Sequence, residues 1–394
     1  MTVTPYEGSL PPAFAGLELS PWLQKALLES GCLTPFPVQA AVIPAALAGQ
    51  DLCVSAATGS GKTLAFALPI LEGLGRAASH GAGRDGLVKA LIIVPTRELA
   101  VQVGAVFKAL AHGAAWPVVI RVVHGGGSVN PDMLALRGGA DVLVATPGRL
   151  LDLASRNAAR LSRVGYLVLD EADRILSLGF RDELAAILAL LPKERQTLLF
   201  SATIGQEVEA IAASELRSES GPPLRIAVEG LPLREGVPEA GLTEMLHVLP
   251  ADTKGPFLRS LIEGMPESDR ILVFASSNRR ADNVTRKLVN NGISAIAFHG
   301  DLSQASRTEA LSEFRGGQVR VLVASDLASR GLDIGGLPCV INYELPRQPL
   351  DYVHRVGRTG RAGAPGLAIT LICPEEEGQL RLIEKRIGRR LPRA

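Results

Sequence analysis

Short runs of aliphatic and β-branched residues recur along this chain, and longer stretches with helical spacing lie between them. Leu52–Ser55, Ala90–Val94, Val118–Val123, Val142–Ala145, Tyr166–Leu169 and Thr197–Phe200 read as strands in the first half. Ile271–Phe274, Ala295–Phe298, Val319–Ala324, Val340–Tyr343 and Leu367–Ile372 read as strands in the second. Most are apolar at every position rather than at alternate ones, as strands covered on both faces must be. Leu64–Leu74, Arg97–Leu110, Asp182–Leu191 and Arg279–Asn290 carry helical patterns between them. Strand and helix in alternation predict an α/β fold built on doubly wound parallel sheets.

The alternation breaks once. From Ser218 to Gly241 the chain is rich in Gly, Pro and Glu, with Leu224–Val228 as a last strand before the break is complete. A chain of 394 residues is also too long for one ordinary core. Two tandem domains are therefore expected, 1–229 and 242–394, joined by a flexible linker at 230–241. The final stretch Arg381–Ala394 holds six basic residues and reads as a terminal helix ending near Arg390, with the charges on its solvated face.

Composition narrows the classes of function. With 47% hydrophobic and 21% charged residues the chain is globular rather than disordered. Its net charge of +1 excludes polyanion binding by bulk charge. The distribution is less even: 20 basic residues face 23 acidic ones up to Gly241, and 21 face 17 beyond it. The second half is thus better placed to touch phosphate. Cys32, Cys53, Cys339 and Cys373 form no CxxC pair, so buried thiols are expected rather than a zinc site or disulfide framework. No apolar run approaches the ~18 residues that span a bilayer. Met1–Phe14 lacks the basic-then-apolar order of a signal peptide. A cytoplasmic protein without membrane contact is expected.

Two segments carry the chemistry. Ala56–Thr63 reads AATGSGKT, after a strand and at the start of a helix, as a phosphate loop requires. Thr58, Gly59, Ser60 and Gly61 form its turn, and the glycines let backbone N–H groups face phosphate oxygens. Lys62 brings a point charge to the β- and γ-phosphates, and the Thr63 hydroxyl can bind Mg²⁺. The strict GxxxxGK[ST] pattern is broken only at Ala56. The second segment, Asp170-Glu171-Ala172-Asp173, stands at the carboxyl end of the strand Tyr166–Leu169, where ligands of open α/β sheets bind. Asp170 is placed to hold Mg²⁺ through water, and Glu171 to polarise an attacking water.

With these motifs in place the chain resembles the DEAD-box ATP-dependent RNA helicases, from Phe14 to about Leu391. The resemblance implies two tandem RecA-like domains, ATP and Mg²⁺ as cofactors, and RNA as partner. Pro35–Gln39 (PFPVQ) resembles the adenine-reading motif, with Gln39 on the adenine edge and Phe14 as the isolated upstream aromatic. Relatives place a base-stacking aromatic after the glycine at position 31; this chain has Cys32, which weakens the expected hold on ATP. Pro95, Thr96 and Arg97 of PTREL, Gly125 and Gly126, and Thr146, Gly148 and Arg149 of TPGR resemble RNA-backbone contacts. Ser201 and Thr203 of SAT would link the ATP site to RNA through hydrogen bonds to the acidic motif, Asp173 included.

The second domain supplies the remainder of the resemblance. Ser277, Arg307 of QASR, and Ser325 are implied as RNA contacts. In Arg330–Asp333, Gly331 and Asp333 would meet the nucleotide, with Asp333 on the ribose hydroxyls, and Asp326 would couple the domains. His354–Arg361 reads HRVGRTGR: His354 would couple, and Arg358 and Arg361 would act as arginine fingers on the γ-phosphate. ATP and RNA would each bridge the domains, so each would favour the other's binding. The expected activity is RNA-stimulated ATP hydrolysis with local unwinding of short duplexes, by a monomer that grips the RNA backbone largely without regard to sequence. An ATP-dependent RNA clamp with little unwinding uses the same residues. A DNA translocase is disfavoured by the acidic tetrad and QASR. A nucleic-acid-independent ATPase is disfavoured by the intact set Lys62, Asp170, Glu171, Arg358 and Arg361. The chain ends 33 residues after Arg361 without a long basic tail, consistent with a minimal enzyme recruited by a protein partner or with a trimmed one.

Overall fold

A computed structural model of the chain describes residues 14, 17, 19–30, 34–56, 60–79, 86–216, 223–228, 241–325, 334, 336–347, 349–360 and 365–394. It divides into two compact units, Met1–Gly230 and Leu231–Ala394. Of the expected linker, only Gly241 lies within the described residues.

The first unit contains β1 (Leu52–Ser55), β2 (Ala90–Ile93), β3 (Ile120–Val123), β4 (Val142–Ala145), β5 (Tyr166–Leu169), β6 (Gln196–Ser201) and β7 (Leu224–Ala227). Its helices are α1 (Pro21–Glu29), α2 (Pro37–Leu47), α3 (Lys62–Ser79), α4 (Arg97–Ala111), α5 (Asn130–Leu136), α6 (Pro147–Ser155), α7 (Ala172–Ser177), α8 (Arg181–Ala189) and α9 (Gln206–Glu215). The strands form one sheet in the order β3-β4-β2-β5-β6-β1-β7, parallel throughout. Two apolar layers cover it. On one face α1 to α4 pack with Phe66, Phe107 and Phe200; on the other α6 to α9 pack with Leu150, Ile175, Leu184 and Ile187. Central strands such as β2 and β4 are buried at every position, which is why their sequences do not alternate.

The second unit contains β8 (Leu242–Val248), β9 (Ile271–Ala275), β10 (Ala295–Phe298), β11 (Val321–Ser325), β12 (Cys339–Asn342) and β13 (Gly366–Ile372). Its helices are α10 (Lys254–Glu263), α11 (Asn278–Asn290), α12 (Gln304–Arg315), α13 (Pro349–Val356) and α14 (Glu377–Ile387). The sheet order is β10-β11-β9-β12-β13-β8, again parallel. Both units are thus α/β with doubly wound parallel sheets.

Two expectations need amendment here. Strand β8 went unread because its buried positions alternate with exposed or half-buried ones, the habit of a sheet edge. Its Glu244 is buried, and its carboxylate takes hydrogen bonds from Tyr352 Oη at 3.1 Å and from Arg389. The terminal helix also stops earlier than expected, at Ile387, because Gly388 adopts the left-handed conformation at φ 70°. The chain then turns back along β8: Leu246 N–H donates to Pro392 O at 2.8 Å, and Ala394 N–H to Leu246 O at 3.0 Å. Arg389 and Arg393 pair with Glu244 and Glu377, while Arg381, Lys385, Arg386 and Arg390 are exposed. Among the described residues no helix is long and apolar enough to cross a membrane.

Phe66 is fully buried, with ring centroids of Phe107 and Phe200 at 6.2 and 5.4 Å. Phe66→Ala should lower the stability of the first unit by about 3–5 kcal/mol. Urea unfolding followed by tryptophan fluorescence checks this, since both tryptophans, Trp22 and Trp116, lie in that unit.

Candidate functional site

The order β5-β6-β1 sets three strand ends side by side. β1 runs out at Ser55 into the phosphate loop, β5 at Leu169 into Asp170, and β6 between them at Ser201. Ala56 N–H donates to Ser201 O at 3.0 Å, tying the loop to its neighbour. Lys62 opens α3, is 6% exposed, and donates from Nζ to Ala56 O at 3.1 Å. Gly61 sits at φ +89°, where a side chain would be strained, and an added Cβ would collide with the Gln39 amide and stand 2.8 Å from Phe36 Cδ2. Ser60 and Thr63 are half-buried. Thr58 and Gly59 lie outside the described residues.

Asp170 is 2% exposed. Burial pushes its carboxyl up from 3.8 to about 6; the Lys62 charge and the Glu171 N–H, at 3.0 Å from Oδ1, oppose the shift, and Glu171 and Asp173 add to it. Glu171 takes a left-handed backbone at φ 52°, ψ 51°, which costs a non-glycine residue roughly 1–2 kcal/mol. That turn lets α7 start immediately after the strand. Buried Glu171 Oε2 accepts no hydrogen bond, and Arg174 Nε stands 3.6 Å away. A desolvated carboxylate near the Lys62 charge and an unsatisfied carboxylate oxygen fit a site that would hold Mg²⁺.

The same strand ends carry a hydrogen-bonded relay. Asp173 Oδ2 accepts from Thr203 N–H at 3.1 Å and from Thr203 Oγ1 at 2.7 Å. Ser201 Oγ accepts from Asp173 N–H at 3.3 Å and donates to Thr203 O at 2.7 Å. The acidic motif and the SAT segment are thus tied together by four hydrogen bonds, three of them between the two segments.

The segment expected to read adenine is bonded within itself and to the phosphate loop. Gln39 is 1% exposed, and its amide bonds at both ends: Oε1 accepts from Phe36 N–H at 2.9 Å, and Nε2 donates to Gly61 O at 3.0 Å. In this conformation it ties the start of α2 to the phosphate loop rather than facing outward. Phe14 is buried in the first apolar layer with Leu17 and Leu19. Cys32 lies outside the described residues.

The neighbouring strands β3-β4-β2 gather a second group. Pro95, Thr96 and Arg97 follow β2; Gly125 and Gly126 follow β3; Thr146, Gly148 and Arg149 follow β4. Thr96 caps α4, accepting from Leu99 N–H at 3.3 Å. The Arg97 guanidinium lies against Gly126, which sits at φ +102° and has no room for a Cβ. Thr146 is buried and Gly148 is exposed. Arg149, expected to meet RNA, is buried here, and its guanidinium pairs with Asp132 and bonds to the carbonyls of Ser128 and Gly127. In this conformation it braces the loop after Gly126.

In the second unit β10-β11-β9 repeats this pattern. Ser277 follows β9 and caps α11, accepting from Arg280 N–H at 3.3 Å. Ser325 ends β11 and donates from Oγ to Asn278 Oδ1 at 2.8 Å. Arg307 is buried, 5.1 Å over the Phe298 ring. Arg358, just beyond α13, is buried too, and His354 lies within that helix. Asp326, Gly331, Asp333, Arg361 and the side chain of His354 lie outside the described residues.

Two residues unremarked in the sequence organise this unit. The Glu344 carboxylate accepts from Ser276 N–H at 2.8 Å, Ser276 Oγ at 2.6 Å and Arg280 Nε at 2.6 Å. Burial raises its carboxyl, but those donors outweigh burial and hold it below the ordinary value. Arg355 donates to Asn342 Oδ1 at 3.1 Å and Glu344 O at 2.6 Å and lies 4.9 Å over Phe274. The helix leading to Arg358 and the helix capped by Ser277 are thereby anchored to the same strand ends. The sequence signal was present only as a charged residue directly after the β12 run.

The DEAD/DEAH box helicase family matches residues 36–211, and the helicase conserved C-terminal domain matches residues 254–363. The ATP-dependent RNA helicase CshA of Listeria monocytogenes is 38% identical over 378 residues, covering 96% of this chain and 69% of that protein. The chain belongs to the DEAD-box ATP-dependent RNA helicases. A second relative, DEAD-box ATP-dependent RNA helicase 30 of Arabidopsis thaliana, is 39% identical over 346 residues, which span 88% of this chain and 57% of that one. Among solved structures, S. cerevisiae Dbp5 bound to RNA and ADP BeF3 is similar with a TM-score of 0.80 at 26% identity, over 97% of this chain and 95% of that one. Both sheets of this DEAD-box chain are of the RecA-like kind.

Asp170 yields a test that needs no ligand. Folded, it keeps its proton up to about pH 6; unfolded, only to about 3.8. Between those values the folded chain binds more protons, so this group's contribution to stability falls as pH rises from about 4 to 6. Asp170→Asn should therefore stabilise the metal-free, nucleotide-free protein at pH 8, by up to about 3 kcal/mol at 1.36 kcal/mol per pKa unit. The gain should vanish near pH 4. Equal urea midpoints for both proteins at pH 8 would contradict the burial argument.

Proposed function

We propose that this DEAD-box protein hydrolyses ATP when RNA is bound and uses the cycle to separate short RNA duplexes locally. The observation that carries the reading is the shared edge of the first sheet. There Lys62 opens α3 beyond the end of β1, Asp170 and Glu171 follow β5, and the Asp173–Thr203 hydrogen bonds join the acidic motif to the segment after β6. The group after β2, β3 and β4 lies along the same edge. The likeness to Dbp5 bound to RNA and ADP BeF3 supports it further.

The phosphates take the loop before α3, where Lys62 is already held by Ala56 O and needs little reorganisation to meet them. Thr63 and Asp170 would hold Mg²⁺, which would supply charge neutralisation to the phosphates. Glu171 accepts a proton from the attacking water at its unsatisfied Oε2. Arg358 and Arg361 are assigned to the charge developing on the γ-phosphate. Pro95, Thr96, Arg97, Gly126, Thr146, Gly148 and Arg149 are assigned to RNA sugar and phosphate. Ser277, Arg307 and Ser325 take the same task in the second unit. Contacts of this kind read the 2′-OH rather than base edges, so recognition is largely independent of sequence. The reading extends to a cytoplasmic monomer recruited to its RNA by a protein partner.

Glu171→Gln should keep ATP and RNA binding and lose turnover by at least a hundredfold, since it removes a general base. It should also abolish multiple-turnover strand displacement from a short RNA duplex. If Glu171→Gln loses nucleotide affinity instead, Glu171 is structural. If the unaltered protein hydrolyses ATP and holds RNA with a non-hydrolysable analogue but displaces no strand, it acts as a clamp.

A further inference from the structure

A line of polar side chains crosses the apolar layer that α13 shares with α14. Arg355 donates to Asn342 Oδ1 at 3.1 Å, and Asn342 Nδ2 donates to Thr370 Oγ1 at 3.3 Å. The Thr370 and Tyr352 hydroxyls stand 3.4 Å apart, the longest link in the line. Tyr352 Oη donates to Glu244 Oε1 at 3.1 Å, and the Arg389 guanidinium closes the line on Glu244 Oε2. With the Tyr352 proton given to Glu244, Thr370 is the donor between the two hydroxyls. The donors therefore all point one way, from the Arg355 guanidinium to the Glu244 carboxylate. None of the residues from Arg355 to Glu244 along this line is more than 5% exposed.

Stability alone does not call for such a line. Tyr352 shares its apolar cluster with Leu242, Leu246, Val356, Leu380 and Ile383. Apolar side chains of matching shape are often as stabilising as a buried ion pair, whose charges are costly to desolvate. What a satisfied polar line adds is direction, since its members bond in one arrangement. Here they join β8, β13, β12 and α13 to the segment beyond α14. Tyr352 and Arg355 are three residues apart, hence on one face of α13, and both are held. The helix can neither turn about its axis nor slide without breaking the line. The chain beyond it is pinned as well. Arg358 N–H donates to Arg355 O at 3.2 Å, Arg358 O accepts from Leu337 N–H at 3.1 Å, and Thr359 Oγ1 donates to Leu337 O at 2.6 Å. Arg358 therefore leaves the helix at a place set by Tyr352 and Arg355.

We propose that Glu244 and Tyr352 are positioning residues for Arg358, with Arg389 as the counter-charge that keeps the Glu244 carboxylate in place. Glu244 holds the Tyr352 hydroxyl, Tyr352 fixes the rotation of α13, and α13 sets where the Arg358 guanidinium is delivered. This rests on the assignment above of Arg358 to the charge developing on the γ-phosphate, and adds the residues that aim it. An interaction made with developing charge acts on the chemical step rather than on ATP binding. Loss of the line should therefore lower the maximal rate of hydrolysis and leave the affinity for ATP.

The test is single-turnover hydrolysis of ATP with saturating single-stranded RNA over a range of concentrations of the full chain. It gives a maximal rate and a half-saturating concentration. Tyr352→Phe removes the hydroxyl and keeps the ring; it should lower the maximal rate by roughly tenfold and move half-saturation by less than about twofold. Glu244→Leu removes the acceptor and should lower the rate as much. Should that variant fail to fold in urea unfolding, Tyr352→Phe carries the test alone. The deciding arm repeats Tyr352→Phe in an Arg358→Ala background, where it should cost less than about twofold more, because residues that act as a unit are not additive. A tenfold loss in both backgrounds would show that the line serves the fold only and would overturn the proposal. An unchanged rate in Tyr352→Phe, or a weaker half-saturation without loss of rate, would overturn it too. Failure of the underlying assignment has a different signature: Arg358→Ala itself would keep the full rate, and the proposal would fall with it.

Discussion

Everything functional in this chain follows from one constraint: its sheets are parallel and covered on both faces. Strands such as β2 and β4 are buried at every position, so no side chain along their length can meet a ligand. Polar chemistry is displaced to the carboxyl ends, where the chain leaves the sheet and backbone N–H groups of the following helices point outward. Strand order then decides which chemistry meets which. In the first unit β5-β6-β1 brings together the phosphate loop, the acidic motif and Ser201–Thr203, and β3-β4-β2 brings together Pro95–Arg97, Gly125–Gly126 and Thr146–Arg149. The two groups are adjacent halves of one sheet edge.

Adjacency makes coupling inexpensive in structural terms. Thr203 gives both its N–H and its hydroxyl to Asp173 Oδ2, so displacement of the segment after β6 displaces the acidic motif. The motif itself is held under tension. Asp170 is desolvated enough to keep its proton to about pH 6, and Glu171 holds an unusual left-handed turn. Both cost stability that the surrounding apolar layers must offset. The second unit uses a comparable device in Glu344 and Arg355, which anchor two helices to neighbouring strand ends.

Much of the fold was legible because continuous apolar runs have few alternatives when bounded by helical patterns. What was missed is instructive. β8 alternates because it is an edge, and its inward-facing Glu244 is stabilised by Arg389 and Tyr352, partners 145 and 108 residues away that no local pattern reveals. The terminal helix was drawn too long because basic residues continue past Gly388, whose positive φ ends it. At the site, spacing along the chain named candidate residues but not their bonded partners: Gln39 donates to Gly61 O, and Arg149 pairs with Asp132, contacts made between segments far apart in sequence.

The central claim is that nucleotide chemistry and RNA contact share one sheet edge and are coupled through it. The most direct measurement is the steady-state ATPase rate with no nucleic acid, with single-stranded RNA, and with single-stranded DNA of the same sequence. The account predicts a rate raised at least tenfold by RNA and little changed by DNA, with Asp173→Asn losing most of the RNA effect while still binding ATP. A rate that ignores RNA while ATP is bound and hydrolysed, or an RNA effect untouched by Asp173→Asn, would contradict it.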